Sequence, residues 1–314
     1  MYSANINLLS ELSKEEMTMD IKRFMTTVVS ALTLVFFTID PASADEELKF
    51  AGCSTSTVSY MNAAAKAYEA KTGIRVGVRG GGATLGIKSA IAGSVDMGGT
   101  CRHKMGDEVK ADVNLTRVGF DALVFVVHPS NPIQNVTTDQ MIDIFEGKIT
   151  SWKALGGPDK PIIIVERKSP NSGVRLSFKE MLGGYEIKLT GSALTFEDTD
   201  EVEAEVEKNP FSFAVSGSGS AVQQKIKVIS FNGIAPTKEN FTNGTYPFVR
   251  PLYLTVKKDI SPKMKKFVDF LLSDDGQAII GKHAINLKEY QHAAMLYDQE
   301  SGVLTPRVEV RRRS

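Results

Sequence analysis

A dominant charge is the first thing this sequence lacks. Lysine plus arginine and aspartate plus glutamate both number 37, so no overall field favours nucleic acid or an anionic membrane surface, and an anion site must be built locally. Histidine is scarce: His103, His128, His283 and His292 are the 4 present. They show no metal-ligand spacing and no Ser/His/Asp arrangement, which argues against a metal centre or a triad hydrolase. Cysteine is scarcer still, and 2 thiols, Cys53 and Cys101, cannot make a disulfide-dense scaffold. A cysteine phosphatase needs an arginine six positions after its nucleophile, and those positions hold Ser59 and Asp107. Repeats and low-complexity linkers are absent, and an exported enzyme is the remote reading of such a chain.

With 42% hydrophobic residues over 314 positions the chain can bury a sizeable core. Near its start Lys22 and Arg23 precede the apolar run FMTTVVSALTLVFFTI, Phe24 to Ile39, then Pro41 and the small triplet Ala42, Ser43, Ala44. The run is shorter than the roughly 20 residues of a spanning helix. A cleavable signal peptide over residues 1–44 is therefore expected, with export to a periplasm. Residues 1–18 fit no targeting pattern, and a start at Met17 or Met19 would place the charged region at the front. No cysteine follows the triplet, so no lipid anchor is expected.

Beyond the signal, strand and helix patterns alternate. LKFAG, IRVGVRG and VDMGGT read as strands, and TVSYMNAAAKAYEAKTG and TLGIKSAIAG as helices between them. Such alternation implies an α/β fold with a parallel sheet covered on both faces, whose ligands sit at the carboxyl ends of the strands. The run from Ala122 to Val127 suits a fully buried strand, YPFVRPLYLTVKK a late one, and SPKMKKFVDFLLSDDGQAIIG a single amphipathic helix. The arginines of the tail VEVRRRS read as a solvated end rather than a nucleic-acid arm. GGATLGIKS imitates a phosphate-binding loop of nucleotide enzymes, but Ile87 intervenes between Gly86 and Lys88 and breaks its spacing.

Several segments together resemble the phosphate-type periplasmic solute-binding proteins, the receptors of phosphate ABC importers. They are GCSTSTV, GGGATLGIKSAIAGSVDMGGTCR, FDALVFVVHPSNP, TTDQMIDIFEGKITSWKALGGP, NSGVRLSFKEMLG, GIAPTKENFTNGTYPFVRPLYL and VDFLLSDDGQAII, in family order along the chain. The resemblance implies a two-lobed periplasmic-binding-protein fold of type II-like topology, each lobe a doubly wound mixed sheet, joined by two hinge crossings. Lobe one would take residues 45–122, lobe two 123–244, the return to lobe one 245–300 and a polar tail 301–314. A monomer that closes on an inorganic oxyanion, phosphate or a phosphate-like anion such as arsenate, and docks on an ABC permease is implied, with no cofactor and no nucleic acid.

An oxyanion is held by N–H groups at helix starts, by hydroxyls and by guanidinium forks. Candidates from the residues are Ser54, Thr55, Ser56 and Thr57, then Thr84 after three glycines, then Ser172 and Gly173, each also explicable as a plain helix cap. The family pattern adds Arg167, places Ala83 or Thr84 where a serine is usual, and puts Val174 where a threonine is usual. It puts Cys101, beside the basic Arg102, where an aspartate or serine is usual. Cys101 could fill space, pair with Cys53 across neighbouring strands, or be a reactive thiolate. In the last case a sensory protein for a thiophilic species such as arsenite, docking on a sensor kinase's periplasmic domain, is the alternative.

Overall fold

The computed structural model describes residues 47–182 and 192–290. The signal peptide expected at 1–44 and the polar tail expected at 301–314 lie outside the described residues. The chain opens with β1 (Glu47–Gly52) and α1, a continuous helix made of Ser54–Ser56, wider π-type turns at Thr57–Met61, and Asn62–Thr72. Then come β2 (Arg75–Arg79), α2 (Gly82–Ala92) and β3 (Met97–Thr100), close to the expected bounds. A long β4 (Val113–Val127) leads to β5 (Asn135–Val136), α3 (Thr138–Phe145), β6 (Ile163–Arg167), α4 (Gly173–Met181) and β7 (Leu194–Phe196). α5 (Thr199–Lys208), β8 (Ser212–Gly217), α6 (Ser218–Ala221), β9 (Lys227–Phe231) and α7 (Lys238–Thr242) follow. The described chain ends with β10 (Val249–Lys257), α8 (Pro262–Leu272) and α9 (Asp274–Ile280).

The strands form one mixed, ten-stranded network in the order β2-β1-β3-β10-β4-β8-β6-β7, with β9 on β4 and β5 on β9. β1 runs parallel to β2 and β3, whereas β10 is antiparallel to both β3 and β4. The purely parallel sheet implied by the alternation is thus confined to β1–β3 and β6–β8, and β4 with β10 supplies the antiparallel middle. β4 changes partner half-way: Val113 to Ala122 pair with β10, and Leu123 to Val127 with β8 and β9. One strand therefore belongs to two lobes.

Each lobe has its own core. In the first, Leu48, Phe50, Tyr60, Met97, Leu252 and Phe267 are buried together, with Tyr68 edge-on to Phe267 at 4.9 Å. In the second, Phe125 of β4 touches Phe178, Phe213, Phe231 and Phe248 at centroid distances between 5.2 and 5.9 Å. Burying one such ring contributes about 1.5–3 kcal/mol. The single helix expected at 261–281 is two, because Ser273 closes α8 and its side chain accepts from Gly276 N to start α9.

Glycines set how deep α2 sits. Gly81 and Gly82, at φ of 130° and 88°, turn the chain into the helix through backbone that side chains avoid. Gly86 of α2 then lies against Gly98 of β3 so closely that a Cβ on Gly98 would stand 2.1 Å from the Gly86 carbonyl oxygen. Gly98→Ala is expected to lower stability by about 1–3 kcal/mol through overpacking. The urea midpoint of the purified protein reads this directly, and an unchanged midpoint would mean that helix and strand can separate freely.

Candidate functional site

Three helices begin at one end of the sheet, each directly after a strand: α1 after β1, α2 after β2 and α4 after β6. The first N–H groups of a helix have no partner within it, and its start carries partial positive charge. Cys53 caps α1 with backbone alone, Gly81 caps α2 without a side chain, and Ser172 caps α4 by accepting from Arg175 N at 3.2 Å. Residues of the two lobes meet here. Thr84 Oγ1 donates to Asn171 O at 3.3 Å, Arg102 Nε donates to the same oxygen at 3.1 Å, and Ser177 Oγ donates to Cys101 O at 3.0 Å. His103 Nε2 lies 3.3 Å from Glu180 Oε1.

Behind these starts runs a buried ion pair that the sequence reading did not pick out. Asp121 of β4 and Arg250 of β10 are register partners, both side chains fully buried, with Nη2 3.0 Å from Oδ2. Asp121 Oδ1 accepts from Ser218 Oγ at 3.0 Å and from Gly219 N at 3.1 Å, which ties down α6. Arg250 Nη2 also reaches Thr55 Oγ1 at 3.4 Å, while its Nη1 has no partner among the described residues. An arginine inside the apolar run from Phe248 to Leu254 was the available signal.

The sequence candidates separate by what they have left to offer. Arg102 is saturated: besides Asn171 it donates to Glu108 at 2.7 and 2.9 Å, to His103 O at 2.7 Å and to Thr84 Oγ1 at 3.1 Å. Five N–H groups thus have five acceptors, and Arg102 is a strut between the lobes rather than a free ligand. Glu108 is held below the usual carboxylate range by that guanidinium, against its burial. Arg167 is different. Its Nη1 donates to Thr199 Oγ1 at 3.0 Å and its Nη2 to Glu197 O, but the buried Nε is unpartnered among the described residues. Its Nη2 stands 3.1 Å from where a Cβ on Gly82 would be, directly at the start of α2.

Ser54, Thr55 and Ser56 are buried at the start of α1, and Thr55 packs against Gly217 of β8. Thr57 turns back, its hydroxyl donating to Cys53 O at 3.2 Å. Ala83 is buried near Gly173, and Val174 packs into the second core, so both contribute backbone rather than a polar side chain. Cys101 points at the start of α4: a Cβ on Gly173 would sit 2.2 Å from its sulfur. Cys53 and Cys101 are both free and buried. Asp198, also missed from sequence, lies with Oδ1 3.5 Å from Arg167 Nη2, and burial raises its pKa against the pull of that arginine. No group of three or more metal-ligating side chains occurs among the described residues.

Comparison with known proteins gives a consistent set. A family model described as a PBP superfamily domain matches residues 40–275. The phosphate-binding protein PstS of Bacillus subtilis is 27% identical over 77% of this chain and 81% of its own. Protein SphX of Synechococcus elongatus is 28% identical over 79% of this chain and 80% of its own. A Clostridium perfringens structure, assigned as a phosphate ABC transporter substrate-binding protein and solved with phosphate bound, superposes with a TM-score of 0.72. It is 30% identical, over 77% of this chain and 99% of that one. An ABC-type phosphate transport receptor from Vibrio cholerae superposes at 0.60 with 28% identity, over 76% of this chain and 99% of its own.

One acid behind the site generates a pH signature. Glu203 of α5 is fully buried, accepts from Ser220 Oγ at 2.7 Å and from Ser216 Oγ, and burial pushes its pKa up to about 7. Between the ordinary glutamate pKa of about 4.3 and 7 the folded chain therefore holds a proton the unfolded chain has lost. Stability must fall as pH rises through that window, by up to about 1.4 kcal/mol per pH unit from this group. Urea titrations across the window should show Glu203→Gln with a flatter decline than the parent; an identical slope would mean that Glu203 is ionised in the fold.

Proposed function

This chain belongs to the PBP superfamily, among the phosphate-type solute-binding proteins, and from that premise we propose that it captures phosphate, or an anion of the same shape, between its lobes for an ABC importer. The observation that carries the reading is the pairing of two buried, incompletely satisfied guanidiniums, Arg167 and Arg250, with three converging helix starts. A tetrahedral oxyanion supplies the acceptors that Arg167 Nε, Arg250 Nη1 and the free N–H groups of Ser54, Thr55, Gly82, Ala83, Gly173 and Val174 lack. The hydroxyls of Ser54, Thr55 and Ser172 add donors that rotate to suit. Charge-assisted bonds of this kind are about twice as strong as neutral ones, and arginine offers them in a planar fork.

Selectivity would come from the acid in the cradle. Hydrogen phosphate carries a proton that a carboxylate can accept, whereas sulfate carries none and meets only repulsion. Cys101 has no carboxylate to offer at the position where the family usually keeps an aspartate or serine. Asp198 approaches from the other lobe, beside Arg167, and would take that role. Export through the N-terminal segment would put the protein in the periplasm, where the closed form presents both lobes to a permease.

Isothermal titration with inorganic phosphate tests the reading, and an absence of heat from phosphate, arsenate and sulfate alike would overturn it. Arg167→Ala should weaken phosphate by about 10- to 100-fold, the worth of a hydrogen bond to a charged group; unchanged affinity would remove that residue from the site. Asp198→Asn should leave phosphate bound but narrow its margin over sulfate by about tenfold. A margin that stays the same would assign discrimination elsewhere.

A further inference from the structure

The chain's two cysteines stand together beneath the cleft, and the oxyanion reading gives them nothing to do. Cys53 follows β1 and Cys101 follows β3, which are parallel neighbours, and Cys53 N donates to Gly99 O at 3.0 Å. The register that sets Gly52 of β1 beside Gly99 of β3 places the two cysteines at adjacent strand ends, and Cys53 Sγ lies 3.0 Å from Ser56 Oγ. We propose that Cys53 and Cys101 are a redox modification site, closing to a disulfide by exchange with a low-molecular-weight or protein disulfide. Its influence on anion affinity rests on the function proposed above; the bond itself does not.

The two sulfurs are not equivalent. Cys53 is drawn down to about 6, first by the hydrogen bond from Cys101 and further by Ser56 and the Arg250 guanidinium, against its burial. Cys101 is raised by its hydrogen bond to Cys53 and by burial. Tyr60, Asp121 and Arg250 are the other titratable groups around them. Cys53 is therefore the attacking thiolate and Cys101 the resolving thiol. The Cys53 thiolate attacks one sulfur of the incoming disulfide RSSR and expels RS⁻. Cys101 then attacks the Cys53 sulfur of the mixed disulfide, giving its proton to the second leaving RS⁻. A Cys53 thiolate and a Cys101 thiol together lose two electrons, and RSSR becomes one RS⁻ and one RSH. A stabilised thiolate also makes the bond easy to reduce again, which marks a labile disulfide rather than a structural one. Both sulfurs are nearly inaccessible, at 3% and 1% residue exposure, so exchange requires the lobes to part.

Closure to the disulfide removes a negative charge near Arg250 and draws the Cys101 sulfur away from the start of α4. The oxidised form should then bind phosphate more tightly than the reduced form, by about three- to tenfold. The test equilibrates the native protein in glutathione redox buffers, traps free thiols at low pH and identifies linked peptides by mass. The two thiols should disappear together as a Cys53 to Cys101 link. Cys101→Ser should retain one glutathione on Cys53, and Cys53→Ser should leave Cys101 free. Thiols that persist under oxidising buffers, a stable glutathione on wild-type Cys53, or an adduct on Cys101 would each overturn the assignment. Phosphate calorimetry on both redox forms reads the second half: equal affinities would sink the tuning. No heat in either form would defeat the oxyanion reading while the mass measurement still judges the thiol pair.

Discussion

The pairing of Asp121 with Arg250 is the constraint on which the rest of this structure depends. Taking both charges out of water costs several kcal/mol per ion, and attraction alone seldom repays it. Here Asp121 has further partners in Ser218 and Gly219, and Arg250 has Thr55. The pair sits where β4 leaves β10 for β8 and β9, so a single contact joins the two crossing strands, the start of α1 and the start of α6. It also holds Arg250 beside Thr55 at the start of α1, with Nη1 unpartnered among the described residues.

How much of this was legible in the sequence differs by segment. The run from β1 to β3 was readable because short apolar strands and glycine-stopped helices alternate there without interruption. The full length of β4 was not, since Asn114, Thr116 and Arg117 interrupt its apolar pattern where it pairs with β10. The break at Ser273 was hidden because α8 and α9 both present apolar faces to the first lobe, although serine followed by Asp274 and Asp275 is a capping signature. At the site, the Ser and Thr clusters and Arg167 could be picked by type and position. The pairing of Asp121 with Arg250 could not, because 129 residues separate them and only the register brings them together.

The cleft sorts its arginines by what surrounds them. Arg102 has an acid of its own, Glu108, and spends every donor on protein. Arg167 and Arg250 face acids too, but each keeps an N–H in reserve, and buried donors left unpaired are a cost to the empty fold that a ligand can relieve. In the proposed site, stability and binding would be coupled at these two side chains, while Arg102 contributes architecture. A reading from residue type alone would have treated all three alike.

The bonds that Asn171 O accepts from Thr84 and Arg102, with the one Ser177 gives to Cys101 O, carry a kinetic meaning. Each joins one lobe to the other; the two neutral bonds contribute about 1 kcal/mol each and the one from Arg102 about 1.5–3 kcal/mol. Together they favour the arrangement in which the lobes touch. If an anion enters between parted lobes, as proposed, these bonds would favour the arrangement that holds it over the one that admits it. Such a receptor would trade speed of capture for residence time, with the balance set at two backbone oxygens, one on each lobe.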